Sequence, residues 1–153
     1  MDLDDRDRRI LALLQEDCRI TNAELAEAAG MSPSALWRRV RALEDAGVIR
    51  RYSAVVDPAE LGLQFHAIVH VHLTRHDPDK LVEFIRAVEN SPLVQDCYAT
   101  TGQADYHLRV LAPDLEAYNR FLESFLFRLP AVASAQTNVV LRSIKQGRPL
   151  VPW

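Results

Sequence analysis

The chain has 153 residues, 48% of them apolar and 25% charged, a composition typical of a globular protein with one domain or two small ones. No apolar run approaches the roughly 20 residues that a membrane-spanning helix requires, and the highly charged N-terminus has no apolar export signal. Two distant cysteines, Cys18 and Cys97, form neither a metal motif nor a redox motif. We therefore expect a cytoplasmic protein with reduced thiols and no membrane partner.

Positive charge is concentrated in one segment of a chain that is acidic overall. The formal net charge is −3, from 18 Lys and Arg against 21 Asp and Glu. Between Arg38 and Arg51, five arginines stand against only Glu44 and Asp45, which leaves a local excess of three positive charges. Because phosphate responds to local potential rather than to total charge, this segment is compatible with a DNA partner.

Residues 3–46 predict three short helices around a small core. The apolar stripes expected to face that core are Ile10, Leu13 and Leu14 in the first helix and Leu36, Val40 and Leu43 in the third. Asp4 is the expected N-cap of the first helix.

The junction between the second and third helices has the signals of a tight turn. Thr21 and Glu24 have the spacing of a capping box at the start of the second helix. Gly30 supplies the left-handed residue after its end, and Ser32 followed by Pro33 caps the third helix. Two capped helices around so short a turn indicate a helix-turn-helix, and hence double-stranded DNA as a partner.

The third helix is the expected recognition helix. Its arginines suit guanine edges and phosphates, and its N-terminal hydroxyls and free N–H groups suit phosphate oxygens. The side chains expected on the side of the helix away from Leu36 are Ser34, Trp37, Arg38 and Arg41. The residues predicted to contact DNA are Ser32, Ser34, Ala35, Trp37, Arg38, Arg39, Arg41, Arg50 and Arg51.

Alternatives stay open for four of these side chains. Trp37 has the size and position either to touch thymine methyl groups or to pack against the first helix. Arg39 lies close to the apolar stripe, where an intramolecular salt bridge competes with a DNA contact. Arg50 and Arg51, at the start of the next segment, fit solvated surface almost as well as phosphate attraction.

Residues 48–57 predict an extended hinge strand, after which the pattern changes to alternating strands and helices. The expected strands cover residues 65–75, 93–101, 105–112 and 132–144, and the expected helices cover residues 78–90 and a segment after Asp114 that ends before Pro130. This βαββαβ order is the ferredoxin-like arrangement, so the predicted fold class is α+β. Both helices of such a fold cover one face of the sheet.

The uncovered face of this sheet predicts self-association. The residues expected there are His66, Ile68, His70 and His72 on the first strand and His107, Arg109 and Leu111 on the third. A mixed polar and apolar face suits the stacking of two sheets in a symmetric dimer.

Taken together, these features resemble the Lrp/AsnC family of bacterial and archaeal transcription factors, named for leucine-responsive and asparagine-linked regulators. The resemblance is carried by residues 3–26, by SPSALWRRVRALEDAGVIRRY (32–52), by DPAELGL (57–63), by TGQADYHLRV (101–110) and by Thr137, Leu141 and Lys145. It implies a winged-type helix-turn-helix in residues 1–47, a hinge strand and linker in residues 48–63, and a ferredoxin-like domain in residues 64–153. It also implies dimers, tetramers or octamers, and an amino acid bound between subunits.

The resemblance directs the effector prediction to TGQADYHLRV. Gly102 permits a tight turn whose backbone N–H groups suit a carboxylate, and Asp105 suits an α-ammonium group. Alternatively, this is an ordinary hairpin turn, and Tyr106 is a core residue. The predicted effector residues are Tyr98, Thr101, Gly102, Gln103, Asp105, Tyr106, Ser134, Gln136 and Thr137, the last three from a neighbouring copy.

Three other functions compete with the regulator. Alternating histidines at 66, 70 and 72 suit a metal, but no Cys or carboxylate in the segment completes a first shell, so neither a metal nor a cofactor is predicted. Lrp-like siroheme decarboxylases share the architecture and would use these histidines or His107, yet the chain shows no nucleophile–base pair, and no enzymatic activity is predicted. A DNA-architectural protein without an effector is the third.

Overall fold

The computed structural model describes residues 2–74 and 77–150, which form two compact units. One unit contains residues 2–55 with residues 145–150, and the other contains residues 56–144. The change of unit falls inside the predicted linker of residues 48–63. Residues 145–150 group with the helical unit rather than with the C-terminal domain, because the Gln15 side chain donates to the Leu150 carbonyl (2.9 Å) and accepts from the Leu150 N–H (2.7 Å).

Three helices build the N-terminal unit as predicted: α1 (Asp5–Glu16), α2 (Asn22–Ala28) and α3 (Pro33–Asp45). Each begins at a side-chain cap, provided by Asp4, Thr21 and Ser32. At α2, hydrogen bonds from the Thr21 hydroxyl and backbone N–H lower the pKa of Glu24. Gly30 follows α2 with a φ of 67°, the left-handed conformation that the turn requires.

The core of this unit is formed by aliphatic side chains from all three helices. The fully or almost fully buried ones are Ile10, Leu25, Ala26, Leu36 and Leu43. Burying such a side chain stabilises a fold by about 1.5–3 kcal/mol. This cluster therefore orients α3 by its inner face and leaves its outer face free.

The predicted strand at residues 48–57 is wrong for the single chain. In the described part of the chain, these residues belong to no sheet, and residues 50–57 have no regular secondary structure. A strand requires a hydrogen-bonding neighbour, and the described residues of the N-terminal unit, to which residues 48–55 belong, contain no strand. Tyr52 instead anchors the segment by donating from its hydroxyl to Glu44 Oε1 at 2.9 Å.

The C-terminal unit has the predicted ferredoxin-like order. Its elements are β1 (Phe65–Leu73), α4 (Pro78–Asn90), β2 (Val94–Ala99), β3 (Tyr106–Ala112), α5 (Leu115–Ser124), a 3₁₀ turn (Leu126–Arg128) and β4 (Val132–Val139). The sheet is antiparallel in the order β2-β3-β1-β4. The last strand ends at Val139, five residues earlier than predicted, and the predicted end of the first strand at Arg75 lies outside the described residues. Across residues 2–74 and 77–150, no helix has the length and hydropathy to cross a membrane.

The strand register separates the two faces of the sheet. Ala67, Val69 and Val71 are fully buried on the helix-covered face, where Phe84 and Phe121 pack against the same core. Two rows of residues cross the open face, and both contain members predicted to lie there. They are Tyr98–His107–His70–Gln136 and Asp96–Arg109–Ile68–Asn138.

Candidate nucleic-acid interface and effector site

The N-terminus of α3 presents polar groups to solvent. Ser32 Oγ accepts from the Ala35 N–H at 3.3 Å and lies 3.3 Å from Ser34 Oγ. Both serines are exposed and Ala35 is half-buried. Pro33 at the first helical position has no N–H, and the Ala35 and Leu36 N–H groups donate to the side chain and the carbonyl of Ser32. Among the described residues, the Ser34 N–H is therefore the donor of this turn that stays available beside the two hydroxyls. This arrangement can hold a phosphate oxygen.

The exposed arginines differ in whether they form ion pairs with carboxylates of the same chain. Arg38, Arg50 and Arg51 are exposed and form no ion pair with any carboxylate among the described residues. Arg41 is also exposed, but its Nε lies 3.3 Å from Asp45 Oδ1. Arg38 is therefore the cation on α3 whose guanidinium is most available to DNA.

Arg39 forms the intramolecular salt bridge that was the alternative to a DNA contact. Its Nη1 lies 2.7 Å from Asp7 Oδ1 and 2.8 Å from Asp4 Oδ2. The hydrogen bonds to Asp7 and Asp4 raise the pKa of Arg39 above its usual value. At Asp4, backbone hydrogen bonding and Arg39 lower the pKa of the carboxyl. The guanidinium thus joins α3 to the start of α1.

Trp37 is exposed over 62% of its surface. It belongs neither to the buried cluster of the N-terminal unit nor to the apolar residues packed against that cluster. Packing against the first helix, the alternative left open by the sequence, is therefore not what holds this side chain. Its indole lies on the outer side of α3.

The hairpin between β2 and β3 contains most of the predicted effector residues. Gly102 has a φ of 127°, a conformation that favours glycine, and Thr101, Gln103 and Asp105 are exposed around it. Asp105 Oδ2 accepts from the Leu73 N–H at 2.8 Å. One carboxylate oxygen therefore already fixes the hairpin against β1, and the other has no hydrogen-bond partner among the described residues.

Two predicted effector residues are used on the helix-covered face. The Tyr106 ring packs against Phe84 with centroids 5.0 Å apart, so its core alternative is supported. Thr137 Oγ1 lies 2.6 Å from the Tyr118 hydroxyl. Both side chains are half-buried. Their main contacts are internal to the C-terminal unit.

The remaining candidates lie at opposite edges of the sheet. Tyr98 is on β2 and is 60% exposed, whereas the exposed Ser134 and Gln136 are on β4. Two strands separate these edges, so the backbones are about 14 Å apart at the usual strand spacing. A single chain therefore does not bring Tyr98 together with Ser134 and Gln136. This separation is consistent with the prediction that the β4 residues come from a neighbouring copy.

Two histidines of the open face contact each other, and one of them also contacts an amide. The His70 and His107 rings meet edge to face at 4.6 Å, and His70 Nε2 lies 2.9 Å from Asn138 Nδ2. Burial and the nearby Arg109 lower the pKa of His66, whose buried Nε2 has no hydrogen-bond partner among the described residues. In the part of the chain that the structure covers, no group of three His, Cys, Asp or Glu side chains is arranged to hold a metal ion.

Three structural partners were not identified from the sequence. Asp7 is only 4% exposed and anchors Arg39, and its position three residues after the Asp4 cap was the available signal. Asp96 forms an ion pair with Arg109 across β2 and β3, where a β-bulge shifts the register. The bond of Tyr118 to Thr137 depends on helix packing, for which the sequence holds no signal.

A groove of about 1270 Å³ in the N-terminal unit contains none of the predicted effector residues. It lies between the end of α1 and residues 48–55, and Leu11, Leu14 and Leu150 contribute to its lining. Its walls include a segment without sheet partners. We assign it no ligand.

Each of the two units matches a known protein family. A winged helix-turn-helix DNA-binding family matches residues 3–50, and the Lrp/AsnC ligand binding domain family matches residues 66–150. The leucine-responsive regulatory protein of Escherichia coli K12 is 40% identical over 150 residues, which cover 98% of this chain and 92% of that protein.

Solved structures agree over nearly the whole chain. A transcriptional regulator from Neisseria meningitidis, crystallised as a complex with L-methionine, is 37% identical with a TM-score of 0.93, covering 97% of this chain and 96% of that one. Escherichia coli AsnC is 26% identical with a TM-score of 0.90, covering 99% and 100%.

The fold and the two matched domains define a DNA-binding transcriptional regulator with a ligand-binding domain. More particularly, the chain belongs to the Lrp/AsnC family.

Proposed function

We propose that α3 of this regulator reads a specific DNA site, and that a free amino acid held by the C-terminal unit changes its assembly or its DNA affinity. The observation that carries the DNA part is the exposed guanidinium of Arg38, which has no ion-pair partner among the described residues, on the outer side of a capped, core-anchored helix. Arg38 has the geometry to fork onto a guanine edge or a phosphate.

The other contacts follow from exposure and charge. The hydroxyls of Ser32 and Ser34 and the Ser34 N–H hold a phosphate at the start of α3, and Arg41, Arg50 and Arg51 add phosphate attraction. Arg39 is assigned the role of positioning α3 through Asp7. Because the chain is acidic overall, a pair of copies on two half-sites supplies the affinity that one unit lacks.

DNA binding is tested by selecting duplexes from a random pool with the full-length protein and measuring affinity by fluorescence anisotropy. Arg38→Ala is expected to weaken binding to the selected duplex at least tenfold, the typical weight of one good base contact. Arg120→Ala removes an exposed arginine of α5 and serves as the matched control. Unchanged affinity in Arg38→Ala would sink the assignment.

For the effector, the chemistry at the hairpin suits an amino acid. Its carboxylate meets the N–H groups around Gly102, and its ammonium group meets the Asp105 oxygen that does not bond Leu73. The relative crystallised with L-methionine supports this ligand class. Tyr98, Thr101 and Gln103 surround the hairpin, and Ser134 and Gln136 come from the β4 edge of another copy.

A thermal-shift screen of all amino acids tests this site. Asp105→Asn keeps an oxygen for the Leu73 N–H but removes the charge, so it is expected to fold and to lose the ligand-induced rise in Tm. Asp96→Asn is the control, because it removes a carboxylate elsewhere in the same sheet. A rise in Asp105→Asn equal to that of the wild type would contradict the proposal.

Self-association completes the proposal. The open face combines the apolar Ile68 with the polar residues of the two rows across the sheet, and it suits stacking on the same face of a second copy, with higher assembly to tetramers or octamers. We place the protein in the cytoplasm as a regulator rather than an enzyme, in line with its relatives named as regulators.

A further inference from the structure

Trp37 is the largest apolar side chain on a surface that is otherwise polar and cationic. It is 62% exposed, while Leu36 beside it and Leu43 on the same helix are fully buried. The core of the unit thus holds α3 without the indole.

The position of Trp37 on α3 brings it next to the proposed DNA contacts. Ser34 precedes it by three residues and Arg41 follows it by four, so both are its neighbours on the helix surface. Arg38 is the next residue and is unpaired among the described residues. Because the indole is exposed beside Arg38 and Ser34, it contacts the same partner surface as those two residues.

The major groove of DNA offers one distinctly apolar feature, the 5-methyl group of thymine. We propose that Trp37 is a specificity-determining residue that packs against a thymine methyl group beside the base or phosphate bound by Arg38. This inference depends on the proposed function, in which α3 enters the groove. A ring of this size covers the methyl group and excludes water from it, which stabilises the complex. Cytosine has no methyl group at this position, so the same contact gains less apolar burial.

The test replaces single thymines of the selected duplex by deoxyuridine, which removes only the methyl group. For the wild-type protein, one replacement in a single half-site is expected to weaken binding about fourfold, the weight of burying one carbon group. In Trp37→Ala the same replacement is expected to change affinity by less than about 1.5-fold. Trp37→Phe is expected to restore part of the methyl dependence, and Arg38→Ala to keep it.

Several outcomes would overturn the inference. One is a wild-type protein indifferent to every deoxyuridine replacement, and another is a Trp37→Ala variant with the same methyl dependence as the wild type. Since Trp37 is exposed, its variants are expected to melt with the wild type, and a melting scan checks this. Selection of no duplex at all would overturn the proposed function and this inference together, whereas a selected duplex without methyl dependence overturns the role of Trp37 alone.

Discussion

Arg39 on α3 donates to the carboxylate of Asp7 on α1 across 2.7 Å, and Asp7 is almost completely buried. The arginine is itself half-buried and also bonds Asp4, the N-cap of α1. One guanidinium therefore neutralises the only buried charged side chain found among the described residues and sets the position of the recognition helix relative to α1.

Replacing Arg39 is expected to cost stability rather than a DNA contact. Arg39→Met leaves the Asp7 carboxylate buried without its cation, and we expect a loss of about 2 kcal/mol in the free energy of unfolding, reduced from the fully buried case because Arg39 is partly exposed. Arg38→Met, one residue away and exposed, is the matched control and is expected to change stability by less than about 0.5 kcal/mol. Urea denaturation measures both, and equal midpoints would refute the anchoring role.

Asp45 is expected to restrain the affinity of Arg41 for DNA. Asp45→Asn removes the carboxylate 3.3 Å from Arg41 Nε, so we expect affinity for a duplex at low salt to rise about twofold to tenfold. Most of this gain should disappear in an Arg41→Ala background. Asp79→Asn, which changes the net charge equally on α4, is the control. The same gain with and without Arg41 would show that Asp45 acts through its own charge.

The elements predictable from the sequence are those with local signals. The caps at Thr21 and Ser32 and the apolar stripe of Leu36 and Leu43 specify α2 and α3 within their own neighbourhoods. The prediction of a strand at residues 48–57 was wrong because a strand depends on a non-local hydrogen-bonding partner, which the segment itself does not contain.

The candidate effector site was less predictable because it depends on tertiary contacts. Asp105 was expected to face a ligand, but one of its oxygens bonds the backbone of Leu73, 32 residues away in sequence. The face that each strand presents to α4 and α5 decides that Tyr106 packs against Phe84 while Tyr98 stays exposed. The alternation of side chains along a strand assigns residues to two faces of the sheet, but it does not indicate which face binds a ligand.

His66 is expected to make the C-terminal unit sensitive to mild acid. Burial, with Arg109 nearby, lowers the pKa of His66 in the folded state, so around that pKa the unfolded chain binds more protons. Stability is therefore full above the unfolded value of about 6.5 and falls as the pH drops from there through the folded pKa. We expect His66→Gln to flatten the dependence of Tm on pH between about pH 7.5 and about pH 5.5. His72→Gln controls for the loss of an imidazole from the same strand face, and an unchanged slope in His66→Gln would contradict the assignment.

Thr137 is expected to act on stability more than on effector binding. Burial raises the pKa of Tyr118, and its hydroxyl lies 2.6 Å from Thr137 Oγ1. Thr137→Val leaves that hydroxyl buried without its partner and is expected to cost about 1–2 kcal/mol, whereas adding Tyr118→Phe removes the unmet group and should recover part of the loss. The amino-acid-induced rise in Tm should persist in Thr137→Val and shrink in Gln136→Ala, whose side chain is exposed. If Thr137→Val melts with the wild type yet loses the ligand-induced rise, then Thr137 contacts the effector directly, and its bond to Tyr118 is incidental to the fold.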